Sequence, residues 1–229
     1  MEPAHYSRDI VQRCQSLLRN LRPVVQHGLP DDPKFGGTLD TTFLIALATP
    51  MIVLPVERIF KTARPGATQA GDDRQLDSSL TQELDNVFGP GREFGSAPFT
   101  VRSRWSYVPG CKPFNIAKDW TDDLLEALGK PEAFQKADSA LTSRVILDLR
   151  NALAHGGIVY LDADGKQTDR PVAMLAFVSA TTNRSRQLVG LNILRVSQDD
   201  FFTFLTAWAG WLAEPVIKKA VNTPNLAAP

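Results

Sequence analysis

Apolar residues recur every three or four positions along most of this chain, which is the spacing of amphipathic α-helices. This spacing predicts five helices, over residues 6–27, 38–62, 72–88, 119–128 and 197–220. It also predicts one long helix from Pro131, a residue suited to a first helical position, to His155. Gly156 and Gly157 then end that helix, because the residue after a helix often needs a positive φ. The chain is therefore predicted to be mainly α-helical.

After these glycines the apolar spacing changes to two, which is typical of β-strands. Residues 158–161 and 172–178 predict a β-hairpin, and residues 188–194 a third strand. The turn Asp162-Ala163-Asp164-Gly165 resembles half of a calcium loop, but it lacks the remaining oxygen ligands, so a plain turn is favoured. The predicted fold is thus a helical bundle with a small antiparallel β-hairpin or sheet, about residues 157–195, inserted or appended before a C-terminal helix.

Length and composition fit one compact unit. A chain of 229 residues with 43% hydrophobic content can bury a substantial core. We predict a single domain over residues 1–221 and a disordered tail over residues 222–229. Two cysteines far apart, Cys14 and Cys111, support neither a disulfide framework nor a cysteine metal site, and they fit a reduced, cytoplasmic protein. The 25 cationic and 25 anionic side chains argue against a protein that coats nucleic acid, but they leave room for a local basic site.

The most apolar stretch runs from Phe43 to Val56 and contains Pro50 and Pro55. It is shorter than the ~20 residues that span a bilayer, so we expect a buried helix that the prolines kink or split. Glu57-Arg58 after it is interpreted as a solvated pair at the helix end. Because the polar N-terminus also has no apolar leader, the sequence predicts a cytoplasmic protein without membrane contact.

Residues 89–118 alternate cations with aromatic side chains between several prolines and glycines. Such alternation is typical of surfaces that stack bases and pair phosphates of single-stranded nucleic acid. The favoured alternative is a loop that its aromatic residues attach to the core, with short strands inside it. Under the first interpretation Arg102, Arg104 and Lys112 would bind substrate, together with Arg144 on the long helix.

The segment Arg150-Asn151-Ala152-Leu153-Ala154-His155-Gly156 carries the candidate chemistry. His155 lies at the helix end, where partly negative carbonyl groups favour a protonated imidazole. A guanidinium and an imidazole together suit a phosphate, because one binds charge and the other transfers a proton. A histidine that merely satisfies unpaired helix carbonyls is the simpler interpretation.

On an ideal helix Arg150 does not stack on His155, whereas Arg144, Asp148, Asn151 and His155 follow one another at steps of four, three and four. The arginine and histidine converge if the helix frays, if the arginine wraps round, or if a second subunit presents its copy. We favour a two-fold dimer with these faces opposed.

This segment resembles the R-x4-H form of the motif of the HEPN superfamily, including the polar residue after the arginine. The resemblance covers residues 38–62 and 119–155 most clearly, with the hairpin and the aromatic loop as elaborations. It implies a HEPN-like helical bundle and a dimeric, metal-independent endoribonuclease without a cofactor. Such proteins usually serve in toxin–antitoxin or phage-defence systems, so RNA and a neutralising antitoxin are the implied partners.

The same resemblance implies the residue roles. Arg150 would stabilise charge on the scissile phosphate, His155 would transfer the proton, and Asn151 would orient the histidine or bind the phosphate. Because many HEPN proteins have no nuclease activity, a non-catalytic module that binds nucleotides or RNA is the alternative. A helical protein that binds another protein is a third hypothesis, which the balanced charge favours slightly.

Overall fold

The computed structural model describes residues 6–27, 39–60, 78–168, 171–183, 185 and 187–214. Over these residues the chain forms seven α-helices: α1 (Tyr6–His27), α2 (Asp40–Pro55), α3 (Ser78–Phe88), α4 (Asp122–Gly129), α5 (Pro131–Ser139), α6 (Thr142–His155) and α7 (Gln198–Leu212). It also forms four strands: β1 (Ser106–Cys111), β2 (Ile158–Leu161), β3 (Met174–Thr182) and β4 (Leu188–Ser197). A mainly helical fold with a small antiparallel sheet agrees with the prediction. The predicted residues 72–77 of the third helix, 215–220 of the last helix and the tail 222–229 lie outside the described residues.

Helices α1, α2 and α7 pack together at one side of the core. Arg22 on α1 is buried and donates to Asp40 on α2 (3.1 Å) and to Asp199 on α7 (2.9 Å). Helix α7 begins directly after Ser197, as the sequence predicts. The hydroxyl of Ser197 is the N-cap and accepts a hydrogen bond from the amide of Asp200 at 3.1 Å. The buried guanidinium thus fixes the start of α2 against the start of α7.

Helix α2 continues into a π turn, Val56–Phe60, directly after Pro55. Proline has no amide hydrogen, so the carbonyl of Met51 one turn earlier loses its usual donor. The indole Nε1–H of Trp208 on α7 donates to that carbonyl instead, at 2.8 Å. The predicted kink at this proline therefore takes the form of a π turn.

The helical segment from Asp40 to Phe60 has 21 residues, longer than the apolar stretch alone suggested. By length and composition only, it is long enough to cross a membrane, a test that the core helix of a soluble protein also passes. Within the described residues Leu44, Met51 and Ile52 are fully buried in the main core. These contacts are those of the buried helix that we expected.

The sheet has the strand order β1-β4-β3-β2, with all neighbours antiparallel. The predicted hairpin is present, with Ile158 opposite Phe177 and Leu161 opposite Met174. In its turn the amide of Asp164 donates to the carboxylate of Asp162 at 2.9 Å, and Gly165 has φ 81°. The plain-turn interpretation describes this geometry.

Each face of the sheet covers a separate set of buried side chains. Leu175, Phe177 and Leu194 point into the main core with α6 and α7. The alternate residues of the same strands form a second cluster under α4, including Val159, Val178 and Ile193. The sheet therefore lies between α6 and α4, and α6 carries the candidate motif along the sheet.

The prediction of one long helix over residues 131–155 is wrong. The chain leaves the helical conformation at Ala140 and Leu141 between α5 and α6. There the amide of Phe94 donates to the carbonyl of Ala140 (2.8 Å), and the amide of Thr142 donates to the carbonyl of Arg92 (2.8 Å). At this point backbone hydrogen bonds to a distant segment replace the helical ones. The spacing of apolar residues does not predict such a contact.

The segment 89–118 is attached to the core by its aromatic residues, as the favoured alternative proposed. Phe94, Phe99, Trp105 and Tyr107 are all buried. The rings of Phe94, Phe99 and Trp105 contact Phe204 on α7, and the ring of Trp105 also contacts Phe177 on β3. The segment contains β1, a strand that the sequence analysis did not locate. These four rings are consequently not exposed for stacking on bases, which corrects that part of the nucleic-acid interpretation.

Candidate functional site

The C-terminus of α6 is fixed by the two glycines that the sequence analysis identified. Gly156 has φ 71° and its amide donates to the carbonyl of Ala152, so the helix ends in a left-handed residue as predicted. Gly157 lies against β3, where its carbonyl accepts the amide of Val178 at 2.7 Å. An added Cβ at Gly157 would fall on the carbonyl oxygen of Val178. His155 is therefore held at a defined place on the rim of the sheet.

The side chain of His155 is exposed at this helix end. Among the described residues no hydrogen bond involves its ring nitrogens. This is the arrangement of an imidazole that is accessible to a ligand.

Arg150 lies one and a half turns earlier on α6 and is mostly buried, with 18% of its side chain exposed. Its Nη1 donates to the side-chain oxygen of Asn151 at 2.7 Å. Its Nη2 forms an ion pair with Glu57, whose side chain is 29% exposed. The Nε–H is buried without a hydrogen-bond partner. The guanidinium is thus oriented by two neighbours and retains N–H groups that they do not use.

The interpretation of Glu57-Arg58 as a solvated pair is wrong for Glu57. Glu57 lies on the π turn after α2 and faces α6, while Arg58 is exposed. One signal in the sequence could have indicated this ion pair. A carboxylate follows the apolar core helix directly, and the candidate motif contains an arginine. Assigning the partner required knowing that α2 packs on α6, which periodicity does not give.

Asp148 on α6 is 2% exposed and accepts three hydrogen bonds. They come from the hydroxyl of Tyr107 on β1 (2.8 Å), from Nε of Arg144 (3.1 Å) and from Nδ2 of Asn192 on β4 (3.2 Å). Burial, and then the adjacent Asp148 charge, raise the pKa of Tyr107. The predicted succession Arg144–Asp148–Asn151–His155 therefore includes a buried carboxylate at Asp148 and ends at an exposed imidazole.

The cations assigned to substrate binding lie in separate places. Arg102 donates to the carbonyl of Gly95 (3.2 Å) and the hydroxyl of Ser96 (3.0 Å), and Arg104 lies 3.7 Å from Asp200 at the start of α7. Lys112 is exposed just after β1. Within the described residues, none of these three forms a hydrogen bond or an ion pair with Arg150 or His155. Their part in substrate binding stays a prediction, and so does that of the half-exposed Arg144.

Over the described residues, no group of three or more His, Cys, Asp or Glu side chains is placed to hold a metal ion. The candidate site comprises the guanidinium of Arg150, the amide of Asn151, the imidazole of His155 and the carboxylate of Glu57.

Comparison with known proteins places the chain in a family. Residues 1–219 match the family described as HEPN pEK499 p136. The chain belongs to this HEPN family. Neither the curated proteins nor the solved structures that were compared with the chain give a match.

The extent of the HEPN match adds to the resemblance carried by the motif. It includes the aromatic segment 89–118 and the sheet as well as the helices around Arg150 and His155. The recognition drawn from one short motif is confirmed at the level of the superfamily.

Proposed function

We propose that this HEPN protein is a metal-independent endoribonuclease. A base removes the proton of a ribose 2′-OH, the 2′-oxygen attacks the adjacent phosphorus, and the bond from phosphorus to the 5′-oxygen breaks. An acid then supplies a proton to the leaving 5′-oxygen. The products would be a 2′,3′-cyclic phosphate and a 5′-hydroxyl.

The observation that carries this proposal is the solvent-facing His155 in the R-x4-H motif of a HEPN chain. An exposed imidazole is suited to take or give the proton, and Arg150 is suited to the charge that grows on the phosphate. Asn151 already contacts Arg150 and would orient this group. Two copies related by a two-fold axis would supply one histidine as base and one as acid.

The proposed setting is a cytoplasmic toxin–antitoxin or phage-defence system, in which a second protein neutralises the nuclease. This setting rests on the HEPN membership of the chain. RNA is the proposed substrate.

The test compares two histidines in similar positions. His155 ends α6 and His27 ends α1, and both are exposed. We expect His155→Ala to lower RNA cleavage by at least about 100-fold, the usual contribution of a general acid or base, and His27→Ala to leave cleavage unchanged. Arg150→Ala should also abolish cleavage, whereas EDTA should not. Full activity of purified His155→Ala, or loss of activity in EDTA, would contradict the mechanism.

A non-catalytic nucleotide- or RNA-binding module is the second candidate. It is favoured by the state of Arg150, whose guanidinium is mostly buried and already paired with Glu57. In that case RNA would shift on a native gel and stay uncut with the wild type and with His155→Ala alike. A protein partner without RNA would instead be recovered as a stoichiometric second chain.

A further inference from the structure

We propose that Glu57 is a positioning residue for the site, which holds the guanidinium of Arg150 in the orientation that cleavage requires. This inference rests on the proposed function, because it assigns a role in that reaction to a residue outside the motif. It starts from the ion pair between Glu57 and Arg150.

The pair joins two elements that are distant in sequence. Glu57 lies on the π turn after α2, and Arg150 lies on α6. Both side chains are mostly shielded from water, with exposed fractions of 29% and 18%. An ion pair with this shielding is screened less by salt than an exposed pair, and its geometry is set by the packing of the two elements. It is therefore a tertiary contact that can define an orientation.

The backbone around Glu57 is anchored on both sides. Val56, Ile59 and Phe60 of the same π turn are buried in the main core. The turn follows Pro55, and the carbonyl that this proline leaves without a helical donor is bound by Trp208. Single π turns inside helices are frequent at functional sites. Here the turn presents one carboxylate to α6 from a rigid support.

The geometry of Arg150 shows what the carboxylate contributes. A free arginine side chain rotates about several bonds, and each lost rotation costs free energy when substrate binds. Glu57 on Nη2 and Asn151 on Nη1 remove that freedom before substrate arrives. Preset donors contribute more in the transition state than donors that must reorganise. The negative charge of Glu57 also opposes phosphate binding in the ground state. Its effects on rate and on affinity therefore have opposite signs.

The experiment measures kcat and the Kd for an uncleavable RNA, with 2′-deoxy sugars, in Glu57→Ala, Glu57→Asp and Glu57→Gln. We expect Glu57→Ala to lower kcat by about 10- to 100-fold, the scale of a small misplacement at a reacting centre, while the Kd stays equal or becomes tighter. Glu57→Gln keeps an acceptor without the charge and should retain an intermediate kcat. Glu57→Asp should recover part of the rate.

Glu126 on α4 provides a matched control, because it is an exposed glutamate that pairs with Lys130 at 2.8 Å. Glu126→Ala should change neither constant. A kcat in Glu57→Ala equal to or above the wild type would overturn the positioning role, since an inhibitory carboxylate would give that result. A loss of rate that only equals the loss of folded protein in thermal unfolding would also overturn it.

A second measurement separates this inference from the proposed function. Phenylglyoxal modifies accessible, mobile guanidinium groups, and peptide mass spectrometry reports the rate at Arg150. We expect slow modification in the wild type, several-fold faster modification in Glu57→Ala, and no change at the exposed Arg19 on α1. An unchanged rate of modification at Arg150 overturns the inference that Glu57 restricts its guanidinium. Absence of wild-type cleavage together with faster Arg150 modification overturns the nuclease proposal and the role of Glu57 in positioning Arg150 for cleavage. It leaves only the finding that Glu57 restricts the Arg150 guanidinium.

Discussion

At the scale of single residues, Asp148 shows how far a polar pattern can be followed from sequence. The pattern placed Asp148 between Arg144 and Asn151 on one side of a helix, and the structure keeps that order. Its bonds to Tyr107 and Asn192 come from β1 and β4, which pair only in the folded sheet. The contact of Arg144 with Asp148 thus follows from the helical spacing, whereas the contacts of Tyr107, Asn192 and Glu57 depend on which elements pack together.

Asp148→Ala should lower the free energy of unfolding by about 3 kcal/mol, because it leaves three donors without their shared acceptor, two of them buried. Urea unfolding would measure this loss. Asp9→Ala, which breaks an exposed pair with Arg13 on α1, is the comparison and should change stability by less than about 0.5 kcal/mol. Equal effects of the two substitutions would show that the buried network contributes no more to the free energy of unfolding than an exposed ion pair does.

Tyr107 gives a pH dependence of known sign. Its pKa is raised above 10.0 by burial and by Asp148, so the folded chain keeps a proton that the unfolded chain loses. The corresponding stability is complete below pH 10 and falls as pH rises beyond it. We expect the wild type to lose about 1 kcal/mol more than Tyr107→Phe between about pH 9 and about pH 11. Urea unfolding at both pH values tests this, and parallel losses would contradict it.

At the scale of elements, helix and strand positions followed from spacing wherever packing left the local preference intact. The predicted limits of α1 and the hairpin pairing of β2 with β3 agree with the structure. The failures occur where distant backbone intervenes. Residues 92–94 pair across the gap between α5 and α6, and β1 sits among prolines and glycines that predict a loop. Neither interruption leaves a periodic trace in the sequence.

The two glycines after α6 should respond differently to substitution. Gly156→Ala places a side chain in open space at φ 71° and should cost about 1 kcal/mol of left-handed strain. Gly157→Ala should cost more, because its Cβ would meet the backbone of β3. Gly156→Asn, which tolerates that φ better, is the control. Chemical unfolding of the three variants checks the order, and a milder effect at Gly157 would contradict the packing.

At the scale of the whole molecule, the chain carries 25 positive and 25 negative side chains, so long-range attraction gives RNA little help in approaching. A small site shared by two copies would concentrate its cations locally, as the two-fold arrangement requires. The family was accessible from one motif and its place at a helix end, and the mainly helical fold from the spacing of apolar residues. The way two copies meet is not encoded in one chain's periodicity.

Mixing the wild type with an inactive variant tests the shared site. If both histidines of a dimer serve one site, an equal mixture of wild type and His155→Ala should retain about a quarter of wild-type activity, because only about a quarter of the dimers keep both histidines. Activity after mixing and re-equilibration, with mass measured by light scattering, is the readout. About half of wild-type activity in a mixture with proven mixed dimers would show instead that each chain carries its own independent site.

Pro55 and Trp208 have a joint consequence for how related chains can diverge. The indole of Trp208 donates to the carbonyl of Met51, which has no helical donor because the ring nitrogen of Pro55 carries no hydrogen. Replacing Pro55 alone would add a backbone N–H that competes with the indole for the carbonyl of Met51. Replacing Trp208 alone would leave that buried carbonyl oxygen without a hydrogen-bond donor. Pro55 and Trp208 are therefore expected to change together in related chains and not singly.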